Sequence, residues 1–412
     1  MIRPRCVVLA FALCLASPTA PASETDADCL MCHADRDLTS ASGKTLFIDE
    51  NRYGLSIHGQ AGLSCVDCHA DLAKVEDFPH AEKIEPVDCS LCHEAEKSAV
   101  AASVHGRPHQ AANASIVVSC KECHGTHDIR KKDDFDSPVF AINIPDTCER
   151  CHLGLVQTKR GGDFIRVYNE SVHFKAAKKS GLSVSATCAT CHGAHDVRAA
   201  ADPESRVGRK AIIRTCGRCH AWIERDYLEG VHGKAHVKGL ENVPVCTDCH
   251  TEHAIQTAET LSSSVYATRV ASVCSRCHDD ENLARQFGLI TSRLRTYSDS
   301  FHGTASRFGA TRVANCASCH GFHDIRNSAD PRSSIHPANL SATCGRCHAG
   351  AGPNFAKGKI HVVSEKTEAK GAYIAKIFYI TAIGGLISLF CLFIAVDLAR
   401  RARTRWKAKK SP

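Results

Sequence analysis

The sequence predicts a mostly irregular fold with short helices, no sheet of note, repeated modules and one C-terminal membrane helix. Three observations lead there. The pattern Cys-x-x-Cys-His occurs eleven times, four successive pairs of it share one internal spacing, and 20 uncharged, mostly apolar residues run from Ile377 to Val396. A chain of 412 residues would ordinarily build side-chain cores, but 25 Cys, 25 His, 6% aromatic residues and a negative mean hydropathy leave this one short of large apolar groups. Something other than side chains must fill the interior.

The cysteines say what. Cys6, Cys14 and Cys391 lie in apolar segments at the two ends, and the other 22 form eleven CxxC pairs, each followed at once by His. They are Cys29/Cys32/His33, Cys65/Cys68/His69, Cys89/Cys92/His93, Cys120/Cys123/His124, Cys148/Cys151/His152 and Cys188/Cys191/His192. Cys216/Cys219/His220, Cys246/Cys249/His250, Cys274/Cys277/His278, Cys316/Cys319/His320 and Cys344/Cys347/His348 complete the set. CxxCH is the attachment signature of c-type haem: the two thiols form thioethers to the porphyrin and the adjoining His reaches the iron as proximal ligand. A zinc ribbon, a redox CxxC or a disulfide framework would not require His at that position every time. Eleven covalently attached haems are therefore expected.

The ends address the chain. Residues 1–22 have the form of a secretory signal, with Arg3 and Arg5, an apolar run from Cys6 to Ala16 and a small-residue cleavage site at Ala20-Pro21-Ala22. Ile377 to Val396 would extend about 30 Å as a helix, enough to span a bilayer. Arg400, Arg401, Arg403, Arg405, Lys407, Lys409 and Lys410 follow it, against Lys376 before it. The positive-inside rule then puts the tail 397–412 in the cytoplasm and the rest on the periplasmic face of a bacterial inner membrane. Of 51 basic and 44 acidic residues, eight basic and one acidic lie in 371–412 and two basic in 1–22, leaving 41 and 43 for residues 23–370. With haem propionates added that region is acidic, so nucleic acid is not an implied partner.

Between the ends the chain repeats. A three-haem region, 23–104, holds the lone motif at Cys29 and a shortened cassette with motifs at Cys65 and Cys89, 24 residues apart. Two-haem modules follow at 105–172, 173–231, 232–301 and 302–361, with motifs starting at Cys120/Cys148, Cys188/Cys216, Cys246/Cys274 and Cys316/Cys344, always 28 apart. A constant interior with variable joints is what stacked modules look like. A linker, 362–376, leads to the membrane helix at 377–396.

Each cassette brings two further histidines. A leading one precedes Gly, or Phe in one copy: His58, His105, His173, His232 and His302, with His361 as a last copy beside the membrane. A trailing one follows three residues after a proximal His: His127, His195, His253 and His323, with His80 farther along in the shortened unit. These eleven match the eleven haems. Met1 leaves with the signal and Met31 lies inside its own CxxC loop, so methionine ligation is excluded and bis-histidine, low-potential haem is the economical reading. A trailing His, only three residues from its own proximal His, is expected to cross to a neighbouring haem. Arg150, Arg218, Arg276 and Arg346, before the second Cys of later motifs, and Arg130, Arg198 and Arg326, after His-Asp, are candidates for propionates.

At these residues the chain resembles the multihaem c-type cytochromes with doubled CxxCH motifs, the group that includes tetrahaem and larger periplasmic electron carriers. The resemblance covers roughly Cys29 to His361. It implies an electron conduit between a quinol-linked membrane cytochrome b, or another quinol-oxidising subunit, and periplasmic or outer-membrane acceptor cytochromes. The familiar quinol-linked members carry their membrane helix at the N-terminus, whereas here it is C-terminal. The alternative is a terminal reductase of nitrite, hydroxylamine or a sulfur oxyanion. That needs one open haem, and with no CxxCK motif and no evident vacancy in the histidine count, a carrier is favoured over an enzyme.

Overall fold

The computed structural model describes residues 24–111, 114–153, 163–357, 360–362 and 370–410. The signal-type segment 1–22 lies outside the described residues, as do linker residues 363–369. The chain is helical and irregular, and its strands among the described residues form one small antiparallel hairpin, His109–Ala111 with Ala114–Ile116. It divides into two compact units, one of Met1–Glu224 with Pro244–Ser263, the other of Arg225–Val243 with Ser264–Pro412. The third cassette contributes to both: its motif at Cys246 falls in the first unit, its leading His232 and its motif at Cys274 in the second.

The two motifs of a cassette sit on different helices. First motifs occupy a single turn that begins at the first cysteine: Cys65–Cys68, Cys120–His124, Cys188–His192, Cys246–His250 and Cys316–His320. The residue before the second cysteine starts each turn by accepting the N–H of the residue before the first. Ser64 donates to Asp67 (2.7 Å), Ser119 to Glu122 (2.8 Å), Thr187 to Thr190 (3.1 Å), Val245 to Asp248 (2.7 Å) and Asn315 to Ser318 (3.1 Å). That is half of a capping box, and it satisfies a donor the short turn would leave free. Second motifs end longer helices or lie across their ends, on Ile144–His152, Ile212–Gly217, Val270–His278 and Leu340–Gly345.

The 28-residue interval has a structural cause. After the trailing histidine the chain turns through a loop closed by a buried serine. Ser137, Ser205, Ser263 and Ser333 are each at most 2% exposed. Each hydroxyl reaches back seven residues, to the carbonyl oxygens of Arg130, Arg198, Gln256 and Arg326 at 3.3–3.5 Å. In two cassettes an arginine then fastens the motifs together: Arg150 donates to the Glu122 carbonyl at 2.7 Å and Arg218 to that of Thr190 at 2.8 Å.

The leading histidines sit on a second repeated turn. Ser56, Ser103, Ser171 and Ser300 stand two residues before His58, His105, His173 and His302, and each caps the turn by accepting a backbone N–H at 2.9–3.1 Å. The residue between serine, or Gly230, and histidine donates its N–H to the next cassette. Ile57 reaches Ile129 (2.8 Å), Val104 reaches Val197 (2.8 Å), Val172 reaches Ile255 (2.9 Å) and Val231 reaches Ile325 (2.7 Å). Each acceptor lies two residues beyond a trailing histidine, so this clamp holds one cassette's leading turn against the next one's trailing loop. Glycine after the leading histidine permits the fit: a Cβ at Gly59, Gly233 or Gly303 would come under 3.0 Å from the carbonyl oxygen of Tyr53, Tyr227 or Tyr297.

Trailing histidines follow a backbone conformation that is essentially glycine's own. Gly125, Gly193 and Gly321 have φ of 82°, 87° and 79° with ψ of −163°, 173° and −177°. In the third cassette the residue is Thr251, at φ 67° and ψ −179°. A β-branched residue there costs on the order of 1–3 kcal/mol. Thr251→Gly is expected to stabilise the holoprotein by about 1 kcal/mol or more, read as a rise in denaturation midpoint at an unchanged visible spectrum.

Candidate functional site

The described histidines assemble in pairs. In the first unit His33 faces His80, His69 faces His127, His124 faces His195 and His192 faces His253, with ring centroids 6.0–6.2 Å apart. His58 faces His93, His105 faces His152 and His173 faces His220 at 6.1–6.2 Å. In the second unit the pairs are His232 with His278, His302 with His348 and His320 with His361, at 6.0–6.2 Å. Leading histidines face the second proximal histidine of their own cassette. Trailing His127, His195 and His253 face the first proximal histidine of the cassette before. His361, grouped by sequence with the leading copies, stands instead where a trailing histidine would, opposite His320. These pairs use twenty of the 22 histidines named from the sequence; His250 lies in the first unit and His323 in the second.

The separation fits haem. Rings in ordinary contact spread over centroid distances of about 4.5–7 Å, whereas these ten fall within 6.0–6.2 Å. A metal–imidazole bond of about 2.0–2.1 Å, with the ring nitrogen about 1.1 Å from its centroid, places two rings on opposite sides of one metal about 6.2 Å apart. All ten pairs hold that gap. Cys29 and Cys32, Cys65 and Cys68, and their counterparts immediately precede one member of each pair. The first unit also holds a continuous cavity of about 4020 Å³, lined by all fourteen histidines of its seven pairs. That is several times the roughly 300–1,000 Å³ of a drug-sized site. Apolar groups such as Leu63, Val100, Val104, Ile129 and Val197 line this cavity rather than packing a core of their own.

The cavity wall takes in fewer cysteines than the sequence assigns to haem. In the first unit Cys151, Cys246 and Cys249 are not on it. Cys151 sits in the last turn of Ile144–His152, a helix that meets the cavity through Ile144, Thr147, Cys148 and His152. Cys249 lies on the turn Cys246–His250, of which only Thr247 reaches the wall, so this motif stands at the cavity's edge. Cys277 and Cys347 belong to the second unit, outside the cavity altogether. For three of these thiols the adjoining ring carries the assignment: His152 after Cys151 faces His105, His278 after Cys277 faces His232, and His348 after Cys347 faces His302. For Cys249 it is the motif itself, with Cys246 in electrostatic reach.

The electrostatics suit the same group. Burial pushes the imidazoles of His69, His124, His127, His173, His192, His278, His320 and His361 below the usual histidine range, and that of His232 down to about 4. The neutral form is the one that ligates iron. Three rings are oriented through Nδ1, which turns Nε2 toward the facing ring: His33 bonds the Leu46 carbonyl and His80 that of Ala81, both at 2.8 Å, and His361 bonds Thr296 Oγ1 at 2.9 Å. The Thr296 hydroxyl donates to the Ser292 or Arg293 carbonyl, so it accepts from His361.

The cysteines place the pairs in a row. Across the joints the sulfurs of Cys29 and Cys65, Cys89 and Cys120, Cys148 and Cys188, Cys216 and Cys246, and Cys274 and Cys316 lie in electrostatic reach of each other. Within cassettes Cys68 lies in electrostatic reach of Cys92, Cys123 of Cys148 and Cys151, Cys191 of Cys216 and Cys219, and Cys319 of Cys344 and Cys347. In each unit, therefore, successive motifs are spatial neighbours. Among the described residues no disulfide forms, and no cluster of three or more His, Cys, Asp or Glu is set to hold a bare metal ion.

Five of the seven arginines named as candidates for propionates have protein partners. Arg150 and Arg218 bond backbone carbonyls, as described. Arg130 pairs with Asp134 (3.1 Å), Arg198 with Glu204 (2.9 Å) and Arg326 with Glu229 (2.8 Å). The serine-capped leading turns and the serine-closed loops were not singled out from sequence, although Ser-x-His and Asp-x-x-Ser recur at fixed positions.

Two family models match: cytochrome c3 over residues 57–153 and the doubled CXXCH motif over residues 237–283. The first match spans the motifs at Cys65, Cys89, Cys120 and Cys148, the second those at Cys246 and Cys274. No curated protein and no solved structure matches the chain. One described helix, Lys370–Lys410, is long and apolar enough to cross a membrane. With haem-attachment motifs in matched segments and histidines paired at axial-ligand distance, the chain is a multihaem c-type cytochrome.

Proposed function

We propose that the protein is an eleven-haem electron conduit held to the periplasmic face of the inner membrane by its C-terminal helix. The observation that carries this is the set of ten ring pairs at 6.0–6.2 Å. Each pair supplies the two axial ligands of one haem, and the cysteines of its motif hold the porphyrin covalently. Haem c, when bound, supplies one-electron exchange at its edge. Two histidines at each of the ten paired sites would leave no open position for a substrate there, which favours passing electrons over transforming a bound molecule. The row of neighbouring motifs keeps successive haem edges close.

The anchoring rests on the hydropathy of Lys370–Trp406 and on the basic residues after Val396. His361 precedes that helix by nine residues, which makes the haem attached at Cys316 and Cys319 the membrane-side port. A quinol-oxidising cytochrome b is the partner proposed there, with periplasmic or outer-membrane cytochromes at the other end. Protein-film voltammetry of the purified holoprotein tests the reading. Reversible waves unchanged by nitrite, hydroxylamine or sulfite are expected. A catalytic current with any of them would replace the conduit with a reductase.

A further inference from the structure

The ten ring pairs fall into two geometric classes. Pairs on the lone motif or a first motif have interplanar angles of 11°, 27°, 25°, 10° and 36°. Those on second motifs have 57°, 56°, 54°, 58° and 49°. The ranges do not overlap, and after the lone motif, whose pair is near-parallel like that of the motif at Cys65, the classes alternate along the chain wherever consecutive pairs are described.

The division has a cause in the local backbone. Every tilted pair takes its distal ring from a leading histidine, on a helical turn capped two residues earlier and clamped, in four of five copies, to the next cassette. Near-parallel pairs never do. Their distal rings are His127, His195 and His253, which follow a turn at positive φ, and His80 and His361, whose Nδ1 atoms are fixed by Ala81 and Thr296. In the four 28-residue cassettes the proximal rings differ as well, since first motifs begin their helices and second motifs end or overrun theirs.

Resting on the ligation proposed above, we infer that the conduit alternates between two electronic kinds of iron site, set by which histidine delivers the distal ring. Parallel imidazole planes direct their π orbitals at the same iron d orbital and split the d pair that holds the ferric hole. Tilted planes divide that interaction between two orbitals. The splitting follows the cosine of the interplanar angle, so near-parallel pairs keep about 0.8 or more of the maximum and tilted pairs about 0.5–0.7. A smaller splitting stabilises the ferric state less, so the leading histidines tune alternate sites toward the ferrous form. His58, His105, His173, His232 and His302 are thus positioning residues for redox tuning as well as ligands.

Low-temperature EPR of the fully oxidised holoprotein tests this. Two low-spin ferric envelopes are expected, one with a higher maximum g value from the tilted pairs, at integrated intensities close to one to one. His232→Ala should remove about one-fifth of the higher-g envelope and leave the other unchanged. One low-spin envelope containing all the iron, or loss from the lower-g envelope in the variant, would overturn the alternation while leaving bis-histidine ligation standing. Stoichiometric high-spin iron in the unmodified protein would instead overturn the ligation. The unmodified protein's intensity ratio decides the matter even where the variant does not fold.

Discussion

His127→Ala is expected to turn one iron of the holoprotein from low spin to high spin, and that iron is the one attached at Cys65 and Cys68. In sequence His127 is three residues from His124 and 58 from His69. In space its ring centroid is 6.2 Å from that of His69, while His124 faces His195. The loss should therefore appear one cassette upstream. It should come with weaker cohesion between neighbouring cassettes, because the ligand and the Ile57–Ile129 clamp bridge the same two. EPR of the variant would show about one-eleventh of the iron as high spin. Removing the attachment cysteines at Cys65 and Cys68 in the same background should abolish that signal, whereas removing Cys120 and Cys123 should leave it. The reverse result would assign His127 to its own cassette.

A chain synthesised without haem attachment is expected not to fold. The fully buried apolar side chains among the described residues include Ile165, Tyr168, Ile212, Ile213, Val243 and Val245, and otherwise only alanines. A set that small cannot offset the conformational entropy of several hundred ordered residues. In the first unit many other apolar groups, such as Leu63, Val100 and Ile129, line the cavity at the histidine pairs and bury their surface only against something that fills it. The fold should behave as a structural metal domain does, with binding free energy serving as folding free energy. Produced in a host lacking c-type haem maturation, the chain should give poorly dispersed amide resonances and no cooperative thermal transition. A sharp transition in that material would mean that side-chain packing suffices.

Much of this could be read from the letters. CxxCH is a local signature, so the attachment sites, the module count and the scarcity of sheet followed from spacing and composition. Which thiols share a cavity did not: Cys148 lines it and Cys151, one helical turn on, does not. The pairing of rings was only partly legible. That His127 serves a neighbouring haem rather than its own followed from chain geometry, but its destination at His69, one cassette away, depends on the clamp between leading turn and trailing loop. That clamp is a backbone hydrogen bond with no side-chain signature. His361 was grouped with leading histidines by position before the last segment, yet it lacks the following glycine, and its ring stands where a trailing one would. Charge marks the recurring arginines as candidates for propionates; the structure places Arg150 and Arg218 on backbone carbonyls and Arg130, Arg198 and Arg326 on carboxylates, where a loop without a core needs its own polar groups satisfied. Ring tilt leaves no trace in sequence at all.

Near-infrared magnetic circular dichroism of the oxidised holoprotein, scaled to its iron content, tests the central claim most directly, because the ligand-to-iron charge-transfer band reports the axial pair of every low-spin haem at once. The account predicts bis-histidine intensity equal to the whole iron complement. A methionine- or lysine-ligated fraction, or a high-spin fraction amounting to one haem or more, would contradict it.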